Sequence, residues 1–213
     1  MFIPLKDTNL TLRRPVATYT LITLNVCVFL LQQIYNLELF AFSEAAFREH
    51  DPFSIFTLIS YQFMHGGWGH IMFNMLFLYI FGDNIESSLG SRFFVLFYLV
   101  AGAAAALSEL YFDPYFGLNN PGVLVGASGS ISGILGAYLL RYPSSRILTW
   151  VGFILFFKIR AVWFIGLWIS LQFFYQLMTP GTGTAYIAHI GGFIAGIIMY
   201  RIYHKYRLNR GSV

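Results

Sequence analysis

Residues 126–142 read GASGSISGILGAYLLRY, a serine among glycines that leads into an apolar run closed by Arg141. Thirteen positions separate Ser128 from Arg141, roughly 20 Å at 1.5 Å per helical residue. Two other apolar runs are built the same way: His189 stands twelve positions before Arg201, and His70 thirteen before Asp83. The three polar side chains therefore share one depth relative to a charged end. In a hydrocarbon layer about 30 Å thick that depth lies below the opposite surface, where a polar group is costly and is read first as functional.

Composition supports the membrane setting. Of 213 residues, 57% are hydrophobic and only 10% charged, against roughly 25% charged in an average soluble domain. No polar, Pro/Ser-rich or low-complexity stretch is long enough to link two units, so residues 1–213 are expected to form a single domain. The one cysteine, Cys27, lies in an apolar run and is expected to be a small buried hydrophobe; it excludes an intramolecular disulfide. The basic start, with Lys6, Arg13 and Arg14, leads into an apolar segment with no small-residue cleavage site behind it, so a retained helix is expected rather than a signal peptide.

Six apolar segments approach the roughly 20-residue length a spanning helix needs: Thr18–Tyr35, Gly69–Ile85, Arg92–Tyr111, Ala127–Tyr142, Ala161–Met178 and Tyr186–Tyr203. The run Ile147–Phe157 is too short to cross and reads as interfacial, or as a lead-in to the fifth helix. Lys and Arg collect on one side of this arrangement. Of thirteen basic residues only Arg48 falls in an opposite loop, while Glu38, Glu44, Glu49, Asp51, Glu109 and Asp113 all lie there. By the positive-inside rule both termini are cytoplasmic and the number of spans is even. The net charge of +4 thus reflects topology and gives no sign of nucleic-acid binding. The second, fourth and sixth helices run in one direction, and the fourth is short, so the loop Pro114–Val125 is expected to dip into the membrane. Irregular backbone at depth must be buried in protein or line a water-filled cavity.

Taken singly, Ser128 reads as a helix-start residue and His189 and Asn74 as interhelical hydrogen-bonding residues; taken together at one depth they read as a hydrolytic set. Ser128 sits at a helix N-terminus, where free N–H groups and the helix dipole favour developing negative charge. Gly192 and Gly196 follow His189 on its own side of the sixth helix, and Gly129 and Gly133 follow Ser128 on the fourth. Such small-residue faces let helices pack closely enough to bring an imidazole to the serine hydroxyl. His70 and Asn74, four apart, share a face of the second helix, and the Asn74 amide is a donor suited to an oxyanion. His65, five positions earlier, is expected to hold the outer loop together by hydrogen bonds. No His-Glu-x-x-His run, no second deep carboxylate and no phosphate loop is present, so neither metal, nor aspartyl chemistry, nor a cofactor is expected.

At these residues the chain resembles the rhomboid family of intramembrane serine proteases. The matches are Gly126-Ala127-Ser128-Gly129, Ala188-His189 with Gly192 and Gly196, His70 with Asn74, His65 in the first outer loop, and the helix-two ending Gly82-Asp83-Asn84-Ile85-Glu86-Ser87-Ser88-Leu89-Gly90. The resemblance covers about Tyr61 to Tyr200. It implies an all-α, six-transmembrane-helix bundle in which Ser128 is the nucleophile, His189 the general base, and His70, Asn74 and backbone N–H groups the oxyanion hole. It implies a dyad with no acidic third member, and associates Phe73 with lateral substrate entry between the second and fifth helices. Glu86, Gly126, Gly129, Gly133, Gly192 and Gly196 take structural places. Two departures stand out: Ser132 occupies a position where some members stack an aromatic residue on the base, and Phe47-Arg48 stands where a Trp-Arg pair is frequent. Neither a seventh span nor an appended soluble domain is seen, as in a minimal prokaryotic form of the inner membrane.

The function implied is endopeptidase cleavage of single-span membrane proteins near their outer ends, within the lipid bilayer. The alternative is a catalytically silent relative that binds membrane clients, whose usual signature is loss of the serine or histidine. A small transporter would call for an internal repeat, and none is visible.

Overall fold

The computed structural model describes residues 2–9, 14–116, 123–152, 155–179 and 183–210. In chain order these form β1 (Phe2–Asp7), α1 (Val16–Gln32), β2 (Phe42–Ser43), α2 (Glu44–Arg48), α3 (Pro52–Ser60), α4 (Trp68–Leu89), α5 (Ser91–Phe112), β3 (Val123–Leu124), α6 (Ser128–Arg141), β4 (Arg146–Val151), β5 (Leu155–Arg160), α7 (Ala161–Met178) and α8 (Tyr186–Arg210). A helix stands at each of the six apolar segments. Among the described residues three helical stretches, Ser91–Tyr115, Ala161–Met178 and Tyr186–Asn209, are long and apolar enough by themselves to cross a membrane.

Residue pairs give the relative directions. Gly192 meets Gly129, and Gly196 meets Gly133, so α6 and α8 run parallel. Gly126 lies against His70 near the start of α4, and Tyr138 packs edge-on to Phe81 one helix length further on, which makes α4 parallel to both. Helix α5 is antiparallel, with Ala105 against Gly129 and Ala101 against Gly133. Short α6 therefore lies at the centre, buried from Gly129 through Tyr138, and its Ser128 end coincides with the His189 end of α8. Its closest partners are glycines because the seam is backbone on backbone. A Cβ at Gly196 would stand 2.1 Å from the Gly133 carbonyl oxygen, and one at Gly192 2.2 Å from that of Gly129.

Glu86, near the end of α4, explains how α1 is held. Its carboxylate accepts from the backbone N–H groups of Ala17 and Thr18 at 2.9 and 2.7 Å, from the Thr18 hydroxyl at 2.8 Å and from the Ser91 hydroxyl at 2.6 Å. The residue before α1 is Pro15, whose side chain offers no cap, so a carboxylate from another helix satisfies the orphan donors and sits favourably at the positive end of the α1 dipole. Glu86→Ala is expected to cost about 2–4 kcal/mol, because charge-assisted bonds are lost and buried N–H groups are stranded. Thermal unfolding in detergent would register this as a lowered Tm, and an unchanged Tm would contradict it.

The segment Ile147–Phe157, too short to cross, leads into α7 as strands, so the fold is not wholly α. β4 and β5 form an antiparallel hairpin with Arg146 opposite Arg160, and β1 pairs antiparallel with β4, Phe2 opposite Val151 and Asp7 opposite Ile147. Ile147 and Thr149 are fully buried while their neighbours are not, the period-two pattern of a strand with one face on a core. Gly152 takes φ +67° at the turn, where a side chain would be strained. β5 then runs directly into α7. The sheet covers the Arg141 end of the bundle, opposite Ser128. There the Asp7 carboxylate accepts from the Tyr138 hydroxyl at 2.6 Å, the Asn84 amide at 2.9 Å and the Asn9 amide at 3.1 Å. Burial pushes this carboxyl above the usual range, opposed by those same hydrogen bonds.

Cys27 is exposed on α1, not buried. On a helix facing lipid the outer surface is itself apolar, so lying in an apolar run does not imply burial.

Candidate active site

At the far end, Ser128 is the first residue of α6, and His189 lies in the first turn of α8. The His189 Nε2 is 2.9 Å from the Ser128 Oγ. Both side chains are half-buried and line a cavity of about 480 Å³ together with His70, Phe73, Asn74, Phe77, Ile131 and Trp168. Phe73 is thus a wall residue on α4, half-buried and facing this space.

The approach to Ser128 is fixed by the backbone before it. β2 pairs with β3, Phe42 opposite Leu124, and the Gly126 N–H donates to the Tyr61 carbonyl at 3.0 Å. Gly126 itself has φ +122°, and a Cβ there would lie 2.7 Å from the His70 ring. Glycine is therefore required both for the turn and for the close passage over His70. The middle of the loop expected to dip into the membrane, residues 117–122, lies outside the described residues.

Asn74 is buried, and its amide nitrogen has no hydrogen-bond partner among the described residues. A buried unpaired donor is costly, and this one belongs to a residue lining the same cavity as Ser128. His70 accepts a long 3.4 Å contact from the Gly66 N–H at Nδ1, and its ring packs edge-on against His65. The hydrogen bonds at His65 run through its backbone: its N–H donates to the Gln32 side-chain oxygen at 2.9 Å, and its carbonyl accepts from the Gln32 amide at 3.4 Å. Its ring instead packs edge-on to Phe29 as well as to His70. Arg48 docks on the Leu110 carbonyl near the end of α5, where a cation suits the negative end of the helix dipole.

Two residues that sequence reading missed stand behind His189. Its Nδ1 is 2.8 Å from the Gln172 side-chain oxygen, and the Trp168 ring lies 6.0 Å away between centroids at 36°. Both come from α7, so the aromatic neighbour is supplied by another helix. Ser132 makes a different contact, donating to the Ser128 carbonyl at 2.6 Å. A signal existed: Gln172 and Gln176 are polar residues four apart inside an otherwise apolar helix, which share a face and at membrane depth count as functional candidates. Both are buried, Gln176 donating to Asp113 at 3.2 Å. The buried Glu109 of α5 accepts from the Ala188 N–H at 2.6 Å, next to His189 in sequence, but no described hydrogen bond joins it to the imidazole.

The arrangement is that of a helical membrane protein with a serine–histidine pair in a cavity at one end of its bundle. Residues 52–206 match the family model described as the Rhomboid domain. The chain belongs to the rhomboid family. Relatives include Rhomboid protein 1, mitochondrial, of Saccharomyces cerevisiae, 28% identical over 84% of this chain and 51% of that protein. Rhomboid protease GluP of Bacillus subtilis is 33% identical over 62% of this chain and 26% of its own length. Rhomboid protease GlpG of Haemophilus influenzae is 29% identical over 90% of this chain and 93% of its own. The chain spans about half or less of the first two. As an integral membrane protein of this family it keeps a serine and a histidine within hydrogen-bond reach.

Proposed function

We propose that this chain is a serine endopeptidase that hydrolyses peptide bonds in or near transmembrane segments of other membrane proteins. The observation that carries the reading is the 2.9 Å contact between Ser128 Oγ and His189 Nε2, in a cavity that also presents the unpaired Asn74 donor. Ser128 attacks the scissile carbonyl as His189 takes its proton at Nε2; the oxyanion is met by the Asn74 amide, His70 and backbone N–H groups at the start of α6. His189 then protonates the leaving amine, and water resolves the acyl-enzyme by the reverse use of the same base. Phe73, on the α4 wall of the cavity, borders the path by which substrate enters.

The membrane arrangement goes with this reading. All six long helices span, the chain forms a single domain, and both termini lie in the cytoplasm of a prokaryote whose inner membrane holds the protein. Helix α6, with 14 residues, reaches about 21 Å, which sets Ser128 below the outer surface in a pocket that water enters from outside. A silent, client-binding relative has less support, because serine and histidine are both present and in contact.

The test is reconstitution of the purified protein in liposomes with single-span substrates, and mass-spectrometric mapping of the products. Cuts are expected in the outer portion of the substrate helix, and faster where Gly or Pro weakens it. Interior Gly costs a helix about 1 kcal/mol relative to Ala and Pro about 3, which lowers the barrier to exposing a peptide bond. Cleavage confined to the cytoplasmic half, or none at all, would overturn the reading.

Asn74→Ala and His70→Ala are expected to act mainly on kcat, since one oxyanion donor is typically worth about 10²–10³-fold. Sharing between donors makes each single loss the smaller part of that range. Steady-state kinetics in bilayers would check it; wild-type kcat in both variants and in the double variant would remove these residues from the oxyanion site.

A further inference from the structure

We infer that Gln172 is a positioning residue that fixes the tautomer and orientation of His189, a role that rests on the Ser128–His189 reading above. An imidazole acts as a base toward a hydroxyl only if the nitrogen facing it is unprotonated, so the proton must be held on the other nitrogen. Gln172 can hold it there. Its side-chain oxygen lies 2.8 Å from His189 Nδ1, while its own amide nitrogen donates to the Trp168 carbonyl at 3.1 Å. That second bond decides which way the amide faces. Turned over, it would set oxygen against the Trp168 carbonyl oxygen and point N–H groups at the imidazole, losing one bond and forcing Nδ1 to accept. With the amide anchored, Nδ1–H donates to Gln172 and Nε2 is left as the acceptor 2.9 Å from Ser128 Oγ. The side chain is buried, so no water competes freely for the bond, and the Trp168 ring beside the imidazole limits its rotation.

The part played by a carboxylate in soluble serine proteases is thus taken by a neutral amide. It orients the ring without adding an ionised group at membrane depth, where such a group is expensive. It also places part of the catalytic support on α7, a different helix from those that carry the reacting atoms.

The experiment compares Gln172→Met, which keeps length and volume but lacks the acceptor, with Gln172→Glu, in the reconstituted 213-residue chain beside wild type and Ser128→Ala. Ionised or protonated, Glu still presents an acceptor oxygen to Nδ1–H. Gln172→Met is expected to lower kcat roughly 10- to 100-fold, the size of effect that loss of an outer partner has on a metal-bound histidine, with KM within about twofold because substrate contacts are untouched. Gln172→Glu is expected to restore most of that kcat, which a purely packing role would not predict. Independently of activity, the ¹⁵N spectrum of histidine-labelled Ser128→Ala protein, assigned with a His189→Gln variant, is expected to show the His189 proton on Nδ1. In Gln172→Met protein that preference is expected to be lost. A wild-type kcat in Gln172→Met, an effect on KM alone, or a proton found on Nε2 in protein that keeps Gln172 would overturn the assignment. Unimpaired cleavage by Ser128→Ala would instead overturn the protease reading, and leave the spectrum to decide on Gln172.

Discussion

Ser128→Ala and His189→Ala proteins are each expected to cleave single-span substrates at the background rate, a fall of about 10⁴-fold or more, while retaining wild-type unfolding temperatures. A nucleophile and its base act as one unit, so the double variant should be no worse than either single one. Fold is spared because neither side chain fills a tight space: both are half-buried at the edge of the cavity, and each hydrogen-bonds chiefly within the site. A serine-directed phosphonate should label wild-type Ser128, label His189→Ala protein far more slowly, and leave Ser128→Ala unlabelled. Full activity in Ser128→Ala protein would remove the mechanism, as would labelling at a residue elsewhere.

The second large effect concerns stability. Gly196→Leu is expected to cost about 3 kcal/mol or more, the upper end of the range for overpacking, and to abolish activity with the fold. Even the first carbon of a side chain at this position would stand 2.1 Å from the Gly133 carbonyl oxygen and 2.5 Å from its Cα. Those atoms are backbone of the central helix and cannot swing aside. Gly192→Ala should behave similarly, since its Cβ would lie 2.2 Å from the Gly129 carbonyl oxygen. Gly166→Ala is the contrast: nothing lies within 4 Å of a Cβ there, and exchanging Gly for Ala inside a helix is worth up to about 1 kcal/mol of propensity. Thermal denaturation of the three variants in one detergent would decide this, and a Gly196→Leu protein as stable as wild type would show that the seam is looser than described.

Much of the fold is legible along the chain because each membrane helix satisfies its own backbone locally, so its length and apolarity are written in consecutive residues. The fifth segment, Ala161–Met178, has the same bounds in both readings, and α6 begins within a residue of its expected start. That Ser128, His189 and His70 line one cavity agrees with their like spacing from the charged ends of their segments. What the chain did not disclose depends on distant partners. β4 reads as an apolar run too short to cross, and becomes a strand because β1, some 140 residues earlier, lies beside it. Gln172 shares a face of α7 with Gln176, but its contact with His189 emerges only when α7 is set against α8. His65, expected to hold the outer loop by hydrogen bonds, bonds through its backbone to Gln32 of α1, a partner 33 positions away that no local pattern names.

The pairing of β1 with β4 also bears on how the protein is made. β1 leaves the ribosome well before its partner at Arg146–Val151, which is not synthesised until α1, α4, α5 and α6 have followed. At roughly 5–20 residues per second the delay is on the order of ten seconds. Throughout that interval Phe2–Asp7 has unpaired strand edges and must stay in the compartment where the hairpin will later arrive. On the proposed topology, in which α1, α4, α5 and α6 each cross the bilayer, the sheet closes because that number is even, and closure would then act as a check on insertion: a nascent chain that misplaced one helix would leave β1 and its partner on opposite faces.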